Sequence, residues 1–283
     1  MKCHNCGEAH KFSTVLRRLD PALYNEYKLD CLRESGSPTY RKQIVPEAPL
    51  ALPKATLDGL PSIASLDPNH LARTFVVKRK LPIGSWNKLF YTENWTDWVH
   101  AQNWDYEYQE KGVPRLLMPC YNIQGGVMMV QSRTLLPEAN SRIRYMTAKA
   151  HSEVPKVYGL ERWDVKKRTY VVEGPLDSWF LPNCLAAMGS ELGQVPDRIP
   201  TYDVPDWVFV PDCEPRNIEI LKQINRLVDE NYPVCLLPPE RGCKDLNDFI
   251  LSGMTQNELL EMVNKHTYDG LKLQLEFQRW KKR

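Results

Sequence analysis

The sequence lacks any run of about 18 or more apolar residues, the minimum for a membrane-crossing helix. Its first residues, Met1-Lys2-Cys3-His4-Asn5-Cys6, do not run into the apolar segment that a secretory signal needs. A soluble, cytoplasmic protein is the expectation, with no membrane partner. An excess of either charge is missing too. The 37 Lys and Arg stand against 35 Asp and Glu, a formal +2, which excludes the uniformly basic character of a protein that coats nucleic acid. Repeats and low-complexity tracts are absent, and 42% hydrophobic with 25% charged residues is a globular composition. The eight cysteines, at 3, 6, 31, 120, 184, 213, 235 and 243, do not make a secreted disulfide scaffold. Only Cys3 and Cys6 form a CxxC pair, and a structural zinc site usually needs two such pairs.

What is present divides into segments. The chain has 283 residues, enough for one large or two modest domains. Residues 1–35 read as a small module, with the CxxC pair followed by apolar residues at 12, 15, 16 and 19 on one helical face. Residues 36–65 carry Pro38, Pro46, Pro49, Pro53 and Pro61 and read as a linker, since helices do not survive that proline density. Residues 66–165 begin with a short helix behind Asp67-Pro68, carrying Leu71, Phe75 and Val76. They continue into a hairpin over residues 113–135 and a brief strand at Tyr145–Thr147. Residues 166–252 alternate apolar strands, at 169–172, 184–189, 207–210 and 232–237, with helical stretches, one predicted from Pro175 to Asn183 and one from Ile218 to Glu230. Short strands that are apolar throughout, separated by helices, predict an α/β fold: a mainly parallel sheet covered on both faces. Residues 253–283 form a helical tail with a break near Asp269-Gly270.

Charge is segregated along the chain. From Arg115 to Lys149 the bases Arg115, Arg133, Arg142, Arg144 and Lys149 face only Glu138, whereas seven acids from Glu173 to Asp212 precede Glu214 against the single base Arg198. In an open parallel sheet, ligands gather at the carboxyl ends of the strands. Glu173 ends one predicted strand, Asp212 and Glu214 follow another, and Lys244, Asp245 and Asp248 follow a third. Isolated acids after a strand are usually solvated turns. Three polar clusters after three apolar strands point instead to hard oxygen ligands for Mg2+, with Lys244 placed for a phosphate and Asp245 or Asp248 for a supporting contact.

The runs Val171-Val172-Glu173-Gly174-Pro175-Leu176-Asp177, Phe209-Val210-Pro211-Asp212-Cys213-Glu214 and Gly242-Cys243-Lys244-Asp245-Leu246-Asn247-Asp248 resemble the TOPRIM domain of bacterial and phage DNA primases. Asp212-Cys213-Glu214-Pro215-Arg216-Asn217 and the segment from Tyr268-Asp269-Gly270 to Trp280 are most similar to the primases of T-even bacteriophages. The likeness covers essentially the whole chain and makes residues 166–252 the TOPRIM domain, 66–165 the amino-terminal part of the polymerase core and 1–35 a partial zinc ribbon. It implies that Glu173 acts in metal-assisted chemistry, that Asp212 and Glu214 ligate Mg2+ (or Mn2+), and that Asp177 supports them. The reaction implied is attack of a 3′-hydroxyl on the α-phosphorus of a ribonucleoside triphosphate, on a single-stranded DNA template, giving a short RNA primer.

In the same resemblance Arg115, Arg133, Arg144 and Lys149 are placed to meet template or nucleotide phosphates, and a replicative helicase is the expected protein partner. For a phage protein the location implied is the cytoplasm of the infected bacterium. Glu214 stands where the family pattern has a second aspartate, a longer carboxylate that still ligates. Cys3 and Cys6 resemble the second half of the family's zinc ribbon. The expectation is a chain without the first half, with Zn2+ as an additional candidate ion. Two alternatives use the same residues differently. A TOPRIM nuclease or topoisomerase-like enzyme would cleave phosphodiesters, though none of the 13 tyrosines is marked as a nucleophile by its surroundings. A non-catalytic subunit would bind helicase or single-stranded DNA through the tail, with Leu259, Met262, Phe277 and Trp280 as its apolar face.

Overall fold

The computed structural model describes residues 56–281, apart from 105, 108, 110, 123–124, 138–142, 190 and 200–204. It also describes Leu16, Leu19, Asp20, Ala22, Leu23, Tyr24, Glu26, Tyr27 and Asp30. Cys3 and Cys6, with most of the 1–35 module, lie outside the described residues.

The amino-terminal part is a four-stranded antiparallel sheet, β1 (Phe90–Thr92), β2 (Arg115–Tyr121), β3 (Val127–Thr134) and β4 (Tyr145–Lys149), in spatial order β1-β2-β3-β4. Two helices flank it, α1 (Leu71–Lys78) and α2 (Trp95–Ala101). The period-two rule of a strand explains how β2 serves two cores. Leu116, Met118 and Cys120 join the main core, which continues into the carboxy-terminal half, whereas Leu117 points the other way into a smaller core with Trp95, Val99 and Trp104 of the α2 region. Pro119 interrupts β2 without harm because β1 pairs only with Arg115–Leu117, so the proline lies beyond the reach of that neighbour. The β2–β3 turn is closed by Asn122, whose main-chain N–H donates to Gly126 O at 2.9 Å while its side-chain oxygen accepts from Gly126 N at 2.8 Å.

Two local readings change. Helix α1 is capped by His70, whose Nδ1 accepts from Ala72 N at 3.2 Å, and Asp67 instead accepts from Asn69 N. Ile63, within the proline-rich stretch, is fully buried and its N–H donates to Leu89 O at 2.9 Å.

The carboxy-terminal half is a five-stranded sheet of β5 (Thr169–Val172), β6 (Cys184–Ala186), β7 (Trp207–Phe209), β8 (Val234–Cys235) and β9 (Thr267–Tyr268), ordered β6-β5-β7-β8-β9. The first four are parallel, and every residue in them is buried, as strands covered on both faces must be. The helices are α3 (Val195–Arg198), α4 (Ile218–Asp229), α5 (Leu246–Leu251), α6 (Gln256–Lys265) and α7 (Gly270–Trp280). Helix α4 buries Ile220, Gln223, Ile224 and Leu227, the i, i+3, i+4, i+7 stripe of an amphipathic helix.

The predicted helix over Pro175–Asn183 is reduced to a single 3-10 turn, Asp177–Trp179, since Pro182 stops it and Asn183 takes a left-handed backbone at φ 45°. The break in the tail is the antiparallel strand β9, which pairs Tyr268 with Val234 and Thr267 with Cys235. Leu259, Met262, Phe277 and Trp280, read as a candidate partner surface, are all buried against their own domain. The indole N–H of Trp280 donates to Leu237 O at 2.7 Å.

Candidate active site at the strand ends

Three loops at the carboxyl ends of β5, β7 and β8 carry the acids. Glu173 leaves β5 with its carbonyl accepting from Met188 N at 3.0 Å, and Met188 holds a left-handed backbone at φ 58° to reach it. A Cβ on Gly174 would lie 2.9 Å from Asp177 Oδ2, so the glycine leaves space for that carboxylate to fold back over the turn. Its other oxygen, Oδ1, accepts from Asn247 N at 3.2 Å, which joins the β5 loop to α5. Beyond β7, Cys213 N donates to Lys244 O at 2.6 Å and draws the second and third loops together. Lys244 Nζ lies 3.3 Å from Glu214 Oε1, and Glu214 Oε2 accepts from Asn217 Nδ2 at 3.1 Å.

Asp245 and Asp248 also have a local task. Asp245 caps α5 by accepting from Asp248 N at 2.8 Å, while Asp248 Oδ2 accepts from Lys244 N at 3.0 Å. Asp248 is thereby turned back on its own loop; its charge and that of Asp245 both act on Asp177, and that of Asp245 acts on Asp212 as well.

The acids affect one another's protonation. Burial raises the Asp212 carboxyl to about 8, with Glu173, Asp177 and Asp245 adding repulsion and Lys244 opposing it. Burial likewise raises Asp177 to about 7. Asp245 pushes in the same direction, and Arg79 and the Asn247 N–H push back. Glu173 is raised by burial against a hydrogen bond from the Asp212 backbone, and its buried Oε1 has no hydrogen-bond partner. Among the described residues no three His, Cys, Asp or Glu side chains stand close enough to form a finished metal cage. The donor set is nonetheless hard oxygen, and an orphaned carboxylate oxygen beside acids that resist ionisation is what a divalent cation would satisfy. The residues fit such an ion.

The basic residues divide. Arg115 is fully buried, donating to Ile143 O at 3.1 Å and reaching Ser132 Oγ at 3.5 Å. Its expected contact with phosphate is corrected: the guanidinium is an internal strut of the small sheet. Arg133 donates to Tyr145 Oη and lies 5.3 Å over Phe75 and 5.1 Å over Tyr145, with its Nε buried and unpartnered. Burial first, then the fields of Arg79 and Arg144, lower its proton affinity, which places the exposed Arg144 in the same cluster. Lys149 is elsewhere. It pairs with Met129 while Arg133 pairs with Tyr145, four residues or about 13 Å along the strand. Lys149 Nζ donates to Val154 O at 2.7 Å, and burial with the fields of Lys156 and Arg198 depresses its proton affinity.

Sequence reasoning missed Arg79, Asn247, Lys156 and Arg198. Arg79 Nη1 donates to Asn247 Oδ1 at 3.0 Å, and Asn247 Nδ2 donates to Arg79 O at 2.6 Å, a reciprocal pair between the two halves of the molecule. The run Lys78-Arg79-Lys80 at the carboxyl end of α1 was the available signal. Asn247 lay within the Gly242–Asp248 run already singled out, and Lys156 and Arg198 sit in ordinary contexts that carried no signal.

No protein-family model matches the chain. It is 31% identical over 288 residues to the DNA primase of Enterobacteria phage T4, covering 99% of this chain and 81% of that protein. The fold is similar to three solved primase structures at low identity. The zinc-binding and RNA polymerase domains of the Aquifex aeolicus primase match with TM-score 0.54 and 16% identity, over 75% of this chain and 59% of that one. The RNA polymerase domain of Mycobacterium tuberculosis primase matches with TM-score 0.53 and 16% identity, over 72% of this chain and 79% of that one. The E. coli primase catalytic core matches with TM-score 0.52 and 15% identity, over 76% and 77%. With a strand-end acid cluster on a TOPRIM-type sheet and a relative that matches 99% of this chain, the chain belongs to the DNA primase family, nucleotidyltransferases whose general activity is RNA-primer synthesis on single-stranded DNA.

Proposed function

We propose that Glu173, Asp212 and Glu214 hold the divalent cation, Mg2+ or Mn2+, at which this chain joins ribonucleotides into a primer. Family membership implies dependence on a divalent metal. The observation that carries the assignment is the buried, unpartnered Glu173 Oε1 beside Asp212, whose carboxyl is raised to about 8 by burial and by neighbouring acids. A bound cation would supply charge neutralisation for the triphosphate and acidify the attacking 3′-hydroxyl. The side chains supply orientation. Asp177 and Asp245 set the field at the site's inner wall, and Asp248 fixes the loop that presents Lys244 to a phosphate. Arg144, with Arg79 nearby and Arg133 buried behind it against Phe75 and Tyr145, would form one basic contact for template or triphosphate. Lys149 with Lys156 forms the other, at the far end of β3 and β4. The single-stranded DNA template would cross the small sheet between these ends.

Two partners complete the proposal. Zn2+ would be held in part by Cys3 and Cys6, which metal analysis of the Cys3→Ser, Cys6→Ser variant tests. A replicative helicase would meet the exposed Leu271 and Leu275 of α7, which co-sedimentation with the Leu271→Asp variant tests. No helix among the described residues is long and apolar enough to cross a membrane. For the metal site itself, titration with Mn2+ followed by electron paramagnetic resonance is the direct test. Glu173→Gln and Asp212→Asn should each weaken binding at least about tenfold, about 1.4 kcal/mol. Unchanged binding in both would sink the assignment.

A further inference from the structure

A cleft of about 390 Å3 opens beside the acid site, between the loop that follows β7 and the loop that follows β8. Cys213, Pro215, Pro239 and Cys243 make mostly apolar walls, and Arg216 and Lys244 stand at its rim. The two sides are held at fixed spacing. Cys213 N donates to Lys244 O at 2.6 Å, and Cys213 Sγ bonds to Leu237 O at 3.2 Å. Gly242 lines the cleft in a left-handed conformation at φ 67°, with nothing within 4 Å of where a Cβ would be. A larger cleft of about 680 Å3, lined by Met254, Met262 and His266 among others, has Glu240, Glu258 and Glu261 in its wall and does not include Glu173, Asp212 or Glu214.

We propose that the smaller cleft is a nucleoside subsite: the base and ribose of a ribonucleoside triphosphate lie between Pro215 and Pro239, with Arg216 at the open edge and the phosphates directed past Lys244 to the carboxylates. The inference rests on the metal-dependent synthesis proposed above and adds where the nucleoside is held. Its basis is the make-up of the cleft. Apolar Pro215 and Pro239 suit the faces of a base, and Glu214, paired with Lys244 at 3.3 Å, lines the same cleft and ties it to the acid cluster. The volume lies within the range of about 300–1,000 Å3 found for small-molecule sites. A lone anion would have no use for the prolines and sulfur atoms, and a peptide would need a longer groove. Arg216 is exposed, so it can be changed without disturbing the core.

The test uses the full chain in two measurements. Extension of a preannealed primer–template should show a KM for the ribonucleoside triphosphate raised about tenfold in Arg216→Ala, with the effect carried by KM rather than kcat. Photo-cross-linking of the native protein with 8-azido-ATP should label peptides containing residues 213–217 or 239–244. In Asp212→Asn the label should persist at those peptides although synthesis is lost. An unchanged KM in Arg216→Ala, or label confined to other peptides, overturns the subsite while leaving the acid assignment standing. Primer synthesis by Asp212→Asn at the native rate would overturn the acid assignment instead.

Discussion

Replacing Asp212 by Asn should make the protein more stable and catalytically dead, and the gain in stability should depend on pH. The Asp212 carboxyl in the folded chain is raised to about 8, from an ordinary value of 3.8. The folded form therefore keeps this proton in a range where the unfolded form has released it. The resulting stabilisation is fully present below about pH 4 and is lost as pH rises through about 8. At about 1.4 kcal/mol for each tenfold change in proton affinity, the rise from 3.8 to about 8 sets a ceiling of about 6 kcal/mol. Asp212 is half-buried, and solvent screening brings the realistic figure to about 1–3 kcal/mol. For a chain of this size that corresponds to on the order of 5 °C in Tm. Asn cannot ionise, so the melting temperature of Asp212→Asn should exceed that of the native protein at pH 8.5, and the two should converge near pH 4.5. Differential scanning calorimetry across that range, without added metal, reads the difference. A native protein whose Tm relative to the variant stays constant from pH 4.5 to 8.5 would show that Asp212 ionises freely in the folded state, and the electrostatic description of the site would be wrong.

Other perturbations separate neighbouring roles. Gly174→Ala places a methyl 2.9 Å from Asp177 Oδ2 and should displace that carboxylate; primer synthesis should fall about tenfold or more, while circular dichroism and Tm remain near native. Arg79→Ala removes the donor to Asn247 Oδ1 and should lower kcat, because Asp177 and α5 lose their link to the small sheet; an unaltered kcat would confine Arg79 to the surface. Arg115→Ala empties a fully buried site and should cost about 2–4 kcal/mol in urea unfolding. Arg144→Ala, at an exposed position, should leave stability within about 0.5 kcal/mol and weaken binding of single-stranded DNA with a reduced salt dependence.

The fold was legible where one local signal dominated. Buried parallel strands announce themselves as unbroken apolar runs, as in Thr169–Val172 and Trp207–Phe209, and α4 could be read from its stripe of Ile220, Ile224 and Leu227. Signals failed where a contact distant in sequence decides the outcome. Thr267 and Tyr268 become a strand only because Val234 and Cys235 offer an edge, and two residues are too few to display a period. The tail was visibly amphipathic, but amphipathicity does not say which surface covers the apolar face. Here Leu237 and its neighbours do, leaving Trp280 buried.

The site divided in the same way. Acids after strand ends could be picked out because topology alone brings such loops together. Arginines could not be sorted, since Arg115 and Arg133 both lie in the stretch read as a hairpin and only the packing of the sheet encloses one completely and sets the other among Phe75, Tyr145, Arg79 and Arg144. Arg79 joins Asn247 across 168 positions, a separation at which sequence pattern carries no information.

Metal-dependent primer synthesis by the carboxylates at the ends of β5 and β7 is open to one direct measurement: native protein and Glu173→Gln, with matched circular dichroism, are incubated with single-stranded DNA, labelled ribonucleoside triphosphates and Mg2+. The native protein should give short RNA products, and the variant should lose at least about 100-fold of that synthesis. Equal product from the two would contradict this role of the carboxylates.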